Sequence, residues 1–582
     1  MTEPAKASKQ IISQSGLALE YNNPAGFITG LITRFFKVTS IRLFFKSHLA
    51  LVFLLPISFL MIFTGLDDSV LQVDEGADTF ISTTILEYGY PKHSDGTHYT
   101  MPEGDAFGGI FLYRTWVPYY LQSVSLLLFG QNTFAARLPF AILGLLSVWS
   151  LYSFTLRLTN QKTIAFFAAL MLATSIPALL YFRTARYISV PILLTPLLLR
   201  FYITLFDKAK WNPIPVTLIS IIYFHTMYVE FAGVITGMLI HLYVYRDRVT
   251  STDLSKVKGS AVIAAVFCLP WLASIPALMS KLSEFYTSAS PLVDTTLWRF
   301  PKHFFAFLFQ INNYIFPLIL APFLFASALR KLRFQVSLLL FCSLSILITA
   351  TLHSIPLMQY IAACIPLFFI LLALIVFHLF NQSIARQSAF LLILIFTNFI
   401  HVAPLVPLKQ AAGRYPEKFA TTDYNQNAYQ TFLREINFKS VIYLYGQELT
   451  HRYQGPLDEL VRYFETHGGK GETCYIDNES EALALLTELQ VIHDKDLDFN
   501  SRPDWIVLRG NQSIPNPNGI ILKLKEKLDT ILSTHSYEKI VLNAPVKPYN
   551  NSYDIQLHLF QPLTTPERVH IFRRVTEKHA PS

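Results

Sequence analysis

Two carboxylates stand side by side at Asp74 and Glu75, and basic residues follow them: Arg114, Arg137, then Arg183 and Arg186 in "YFRTARY". Between them lie His93, Asp95 and His98 in "PKHSDGTHYT", and Glu103 and Asp105 in "PEGD". A carboxylate beside a hydroxyl can take its proton, and a guanidinium fork binds paired phosphate oxygens without losing its own charge. Together these types suit transfer of a sugar carried on a lipid phosphate, where a base activates the acceptor and cations hold the departing anion. Each residue also has a plainer reading. Acids in a first helical turn cap the helix and complement its dipole, and an Arg near lipid snorkels to the headgroups. It is the convergence of several such groups that carries the chemical reading.

The elements that must position these residues are those of a membrane protein. Of 582 residues, 52% are hydrophobic and only 15% charged, with a mean hydropathy of +0.38, too apolar for an ordinary soluble enzyme. Apolar runs near 48–64, 134–156, 163–181, 188–206, 213–230, 231–245, 259–279, 314–329, 335–352, 358–380 and 386–404 predict about 11 to 13 transmembrane helices. The run 116–129 is short and suits a re-entrant or surface helix. The net charge of +8 is spread over short loops, which excludes a nucleic-acid patch and reads as topology. If 116–129 does not cross, the loops with Arg157, Lys162, Lys208, Lys210 and "RKLR" at 330–333 join a basic tail, 1–40, in the cytoplasm. The transmembrane part is then 41–406, and its first outside loop, 66–115, carries Asp74 and Glu75. There Ala77, Phe80, Ile81, Thr84, Ile85 and Tyr88 recur with helical spacing until "GYP", predicting a helix lying in the membrane surface.

From 407 to 582 the composition becomes that of a soluble extracytoplasmic α/β domain. "KSVIYLY", "ETCYID" and "PDWIVLR" read as strands, and "ESEALALLTELQ" and "ILKLKEKLDTILS" as helices. Cys268, Cys342 and Cys364 sit in apolar runs, and Cys474 is alone in the polar part, so the cysteines suggest neither a disulfide framework nor a zinc site.

The combination resembles the GT-C glycosyltransferases of family 39, the PMT_2-type group of protein O-mannosyltransferases and lipid A aminoarabinose transferases. The resemblance rests on Asp74 and Glu75 before a helix ending in "GYP", on "LLLFGQNTFAARLP" from Leu126 to Pro139, on "RTARY" from Arg183 to Tyr187, and on "QYIAACIP" from Gln359 to Pro366. It implies a GT-C-like membrane domain acting in a bacterial inner membrane, with its N-terminus cytoplasmic and its C-terminal domain periplasmic. It also implies a polyprenyl-phosphate sugar donor and a lipid or protein acceptor. By the same likeness Asp74 is the base with Glu75 beside it, Arg114 holds the lipid phosphate, and Arg137, Arg183 and Arg186 are supporting cations. Tyr187, His93 and His98 complete the expected substrate-binding set. The sequence departs from the pattern at Asp78, Tyr187 and Gln359, where many members have Arg, Asp and Arg. It departs also at Arg114-Thr115-Trp116, where many have Lys-Pro-Pro.

Two other classes compete. A secondary transporter requires ionisable groups near mid-membrane and two repeated halves, and neither is visible. A membrane-anchored binding module would place the function in the C-terminal domain. A divalent metal is an option at His225 and Glu230 in "FHTMYVEF", although an interhelical His and an interfacial acid explain the pair more economically.

Overall fold

The computed structural model describes residues 49–101, 105, 107–207, 211–289, 297–381, 383–405, 440–451, 455–477, 479–493, 496–509, 520–545, 551–560 and 567–575. The expected tail 1–40, Glu103, Lys208 and Lys210, and the expected domain boundary near 407, lie outside them.

The helical part begins with α1 (Leu49–Phe63), α2 (Val73–Tyr88) and α3 (Val117–Phe129). Helix α2 starts before the apolar periodicity does, because Glu75 reaches back to accept the Gln72 N–H at 3.1 Å. It stops at Gly89, whose φ of +79° is open to glycine and whose N–H closes on the Ile85 carbonyl. Helix α4 (Thr133–Thr159) is capped by the Asn132 side chain accepting from Ala135 N. Helices α5 (Lys162–Ala173) and α6 (Ile176–Phe182) form one apolar stretch bent by 65°, with Pro177 in the first turn of α6. Then come α7 (Ser189–Tyr202), α8 (Ile214–Phe224), α9 (Tyr228–Val244), α10 (Ser251–Ala289), α11 (Arg299–Tyr314), α12 (Arg333–Ala350), α13 (Cys364–Leu379) and α14 (Ile384–Phe396).

Among the described residues four helices are long and apolar enough to cross a membrane alone, and up to six if each bent pair is one span. The remainder are shorter apolar helices. The run 314–329 is not the straight span its hydropathy predicts. It is a 3-10 segment bent by 93° from α11, with Pro317 at its start and Pro322 inside. Helix α9 approaches α12 through Gly233 and Gly237, where a Cβ would meet backbone atoms of Ile346 and Cys342 at 2.6 and 2.4 Å. Small residues four apart allow such contact between helices in lipid.

The C-terminal part comprises α15 (Ile442–Thr450), α16 (Pro456–His467), β1 (Thr473–Ile476), α17 (Ser480–Leu486), β2 (Gln490–Ile492), β3 (Trp505–Leu508), α18 (Ile520–Thr534), β4 (Tyr537–Pro545) and β5 (Arg568–Arg574). The sheet order is β2-β1-β3-β5-β4, with β1 parallel to both neighbours and β5 antiparallel to both of its own. Tyr475 and Ile506 pack on Leu528 and Ile531 of α18. The part of "KSVIYLY" from Ile442 to Tyr445 is helical, not a strand. There Tyr445 is buried and donates to the Met61 carbonyl at 2.7 Å, and such a tertiary anchor overrides the β-propensity of the run.

This part is bonded directly to α2 and to the segments on either side of it. Asp458 accepts from Val70 N at 2.8 Å, Glu481 accepts from the Thr100 hydroxyl at 2.6 Å, and α17 meets α2 where a Cβ on Gly76 would lie 3.1 Å from that of Ala482.

Candidate active site

Helix α2 places its acids in two directions. Asp74 and Asp78, four apart, share one face, while Glu75 points about 100° away. Each direction meets its own arginines.

Glu75, 1% exposed, is saturated. Arg137 grips it at both oxygens, Nε at 2.9 Å and Nη2 at 2.8 Å, and Ala185 N donates at 2.7 Å. The remaining Arg137 donors go to the carbonyls of Leu66, Ser69 and Val70. This pair therefore ties the loop before α2 to α4 and to the turn after α6.

On the other face Asp78 is the hub. It is buried and accepts from Arg114 and from the Tyr119 hydroxyl at 3.0 Å through Oδ1, while Arg186 Nε lies 3.0 Å from Oδ2. Arg186, 2% exposed, extends Nη1 to within 2.6 Å of Asp74 Oδ2. The Tyr553 hydroxyl donates to the same oxygen at 2.6 Å, and its ring lies 4.9 Å from the Arg186 guanidinium. The Asp74 side chain stays 38% exposed, and among the described residues no donor reaches its Oδ1. Burial works against its charge, but Arg186, Arg114 and the Tyr553 hydroxyl outweigh burial and bring the carboxyl down to about 2. Burial pushes the Tyr553 hydroxyl well up, so it stays a donor.

The other expected site residues have other places. Arg183 donates to the carbonyls of Ile62, Thr64 and Gly65, which crowns the C-terminal end of α1. Tyr187 is buried beside Arg186, its ring 5.5 Å from the guanidinium. His93 bonds the Thr100 carbonyl through Nδ1 at 3.1 Å and packs edge-on against Phe111. His98 bonds the Val491 carbonyl of β2 at 3.1 Å, linking the loop after α2 to the C-terminal sheet. Asp95 and Asp105 accept backbone N–H groups of their own turns. His225 Nε2 is 3.1 Å from the Phe267 carbonyl, and no three His, Cys, Asp or Glu side chains among the described residues gather as a metal would require.

Sequence reasoning noted Asp78 only as a departure from the family pattern and passed over Tyr119 and Tyr553. The i, i+4 spacing from Asp74 would have pointed to Asp78; Tyr553 carries no local signal. A cleft of about 310 Å³ lined by Phe80, Thr83, Glu87, Asp95 and Leu485 opens on the side of α2 away from Asp74 and contains no cation.

Comparison with known proteins agrees with this architecture. Residues 114–273 match the family described as dolichyl-phosphate-mannose-protein mannosyltransferase, a stretch that contains all four arginines and begins after Asp74. ArnT from Cupriavidus metallidurans, solved bound to undecaprenyl phosphate, aligns with TM-score 0.54 at 12% identity, over 93% of this chain and 100% of that one. The archaeal oligosaccharyltransferase AglB from Archaeoglobus fulgidus, solved with an inhibitory peptide and a dolichol-phosphate, aligns at TM-score 0.43 and 13% identity. It covers 88% of this chain and 75% of its own, a likeness too loose to add weight. No curated protein sequence matches the chain. The chain is a polytopic membrane protein of the GT-C fold that carries a PMT-like stretch at residues 114–273.

Proposed function

We propose that this protein is a membrane glycosyltransferase that moves a sugar from a polyprenyl phosphate to an acceptor hydroxyl at the outer face of the membrane. One observation carries the reading: a partly exposed carboxylate, Asp74, shares a buried arginine with a second acid, and that acid holds a second arginine. The unit supplies a base and two cations at the N-terminal end of α2. Sequence charge bias supports the outer face, and the ArnT fold, solved with undecaprenyl phosphate, supports the lipid carrier.

In the proposed step the acceptor oxygen attacks the anomeric carbon as Asp74 Oδ1 takes its proton. The bond from that carbon to the phosphate oxygen breaks, its electron pair leaves with the phosphate, and Arg114 and Arg186 hold the charge. A single displacement inverts the anomeric centre. The unit by itself is charge-balanced, two carboxylates against two guanidinium groups. A donor phosphate that draws Arg114 and Arg186 toward itself weakens their hold on Asp74 and makes it more basic, so donor binding primes the base.

The test uses purified protein in liposomes with undecaprenyl phosphate carrying labelled hexoses or pentoses, and measures released undecaprenyl phosphate. Wild-type protein releases it from at least one donor and Asp74→Asn does not. Equal release by both would reject Asp74 as the base.

A further inference from the structure

We infer that Tyr553, supplied by the C-terminal part, is a positioning residue for the base: with Arg186 it fixes Asp74 Oδ2 and leaves Oδ1 to meet the acceptor. The inference rests on the transferase reading and adds a residue more than four hundred positions from the base.

Three observations carry it. Tyr553 donates to one carboxylate oxygen at 2.6 Å and the charged Arg186 Nη1 lies 2.6 Å from the same oxygen, so one side of the carboxyl is held by a hydrogen bond and an ion pair. The open oxygen belongs to a side chain still 38% exposed, whereas Tyr553 itself is 6% exposed, so the hydroxyl braces the base from within and does not stand between it and solvent. The segment bearing Tyr553 is itself braced. Asp554, 1% exposed, accepts from Gln556 N at 3.5 Å; burial pushes its carboxyl up to about 6, and the nearby backbone N–H groups of Gln556, Met358 and Gln359 oppose that rise. His558 bonds the Ser552 carbonyl through Nδ1 at 2.6 Å and faces Glu448 of α15 through Nε2 at 2.9 Å. A hydroxyl held on both flanks can set the direction of a base, because its own position does not wander.

Tyr553→Phe removes the donor and keeps the ring against Arg186. With the undecaprenyl-phosphate sugar that wild-type protein uses, kcat should fall by about tenfold or more while the donor KM and the melting temperature stay near wild type. An unchanged kcat, a loss confined to KM, or a fall in melting temperature matching the lost activity would overturn the assignment. Asp74→Asn, assayed alongside, separates the two claims: an inactive Asp74→Asn with a fully active Tyr553→Phe rejects only the role of Tyr553, whereas an active Asp74→Asn rejects the base.

Discussion

Adjacent residues of α2 take part in two carboxylate–arginine constellations that differ in one respect. Around Glu75 both oxygens are spoken for and the Arg137 donors are spent on backbone carbonyls, so no ligand can enter without breaking the loop before α2. Around Asp74 Arg186 is buried, Arg114 is half-buried and the acid is partly exposed, with an oxygen to spare and its charge held by groups that a phosphate would compete for. The chemistry of the partners is the same. Saturation is what separates a pair that holds structure from a pair that can act.

The strongest way to break this distinction is to neutralise each acid in turn. Asp74→Asn should reduce transfer by about 10² to 10⁴-fold, the range typical of a lost general base, with a smaller fall in melting temperature than Glu75→Gln causes, because Arg186 keeps Asp78 as a partner. Glu75→Gln should do the reverse: losing one charge of a buried pair costs about 3 kcal/mol, seen in thermal unfolding, while turnover per folded molecule is little altered. Replacing both members, Glu75→Leu with Arg137→Met, should recover only part of that stability, because the Leu66, Ser69 and Val70 carbonyls lose their donor. If Glu75→Gln stayed fully stable but lost turnover, the roles of the two acids would have to be exchanged.

A smaller effect sharpens the electrostatic half of the comparison. Asp74 is depressed, so its charged, proton-accepting form persists as pH falls and is lost only near pH 2; kcat/KM should show no acid limb from this group above about pH 4. Arg186→Gln removes the largest influence holding the value down, while burial, which raises it, remains; Arg114, Tyr553 and Asp78 still face the carboxyl. The acid limb should then rise to the ordinary carboxylate range near pH 4 or beyond, on top of a lower rate. A pH profile identical to wild type would show that Arg186 does not set the charge of Asp74.

How much of this was legible in sequence follows from where each signal lies. The helix that opens at Asp74 and Glu75 and stops at "GYP" was legible from apolar spacing, a local property. Arg183 and Arg186 looked equivalent because they stand three positions apart in one turn, yet one crowns α1 and the other reaches α2; only the packing of the turn after α6 decides which. Asp78 was visible as a residue on the Asp74 face but was read as a departure in charge, and its place as the hub needed Arg114 and Arg186 to be seen together. Tyr553 was beyond reach, since its partner lies 479 residues away and nothing around it has a motif. In the fold, hydropathy found the apolar run at 314–329 but not that two prolines would turn it into a bent 3-10 segment, and β-branched residues in "KSVIYLY" did not announce the Tyr445 anchor.

The smallest predicted effect concerns His98, a residue whose exposed-loop setting and chemistry made it a candidate ligand. Its Nδ1 faces a carbonyl, so that nitrogen carries the hydrogen, and the bond runs to Val491 in the edge strand β2. Buried at 3% and edge-on to Phe80, the ring is a strut between loop and sheet, comparable to Glu75 and unlike Asp74. His98→Ala should therefore cost about 1–2 kcal/mol, a drop of a few degrees in melting temperature, with the donor KM unchanged. A rise in donor KM without a change in melting would move His98 into the substrate pocket, and a buried, bonded side chain would no longer be a sufficient mark of structure in this part of the molecule.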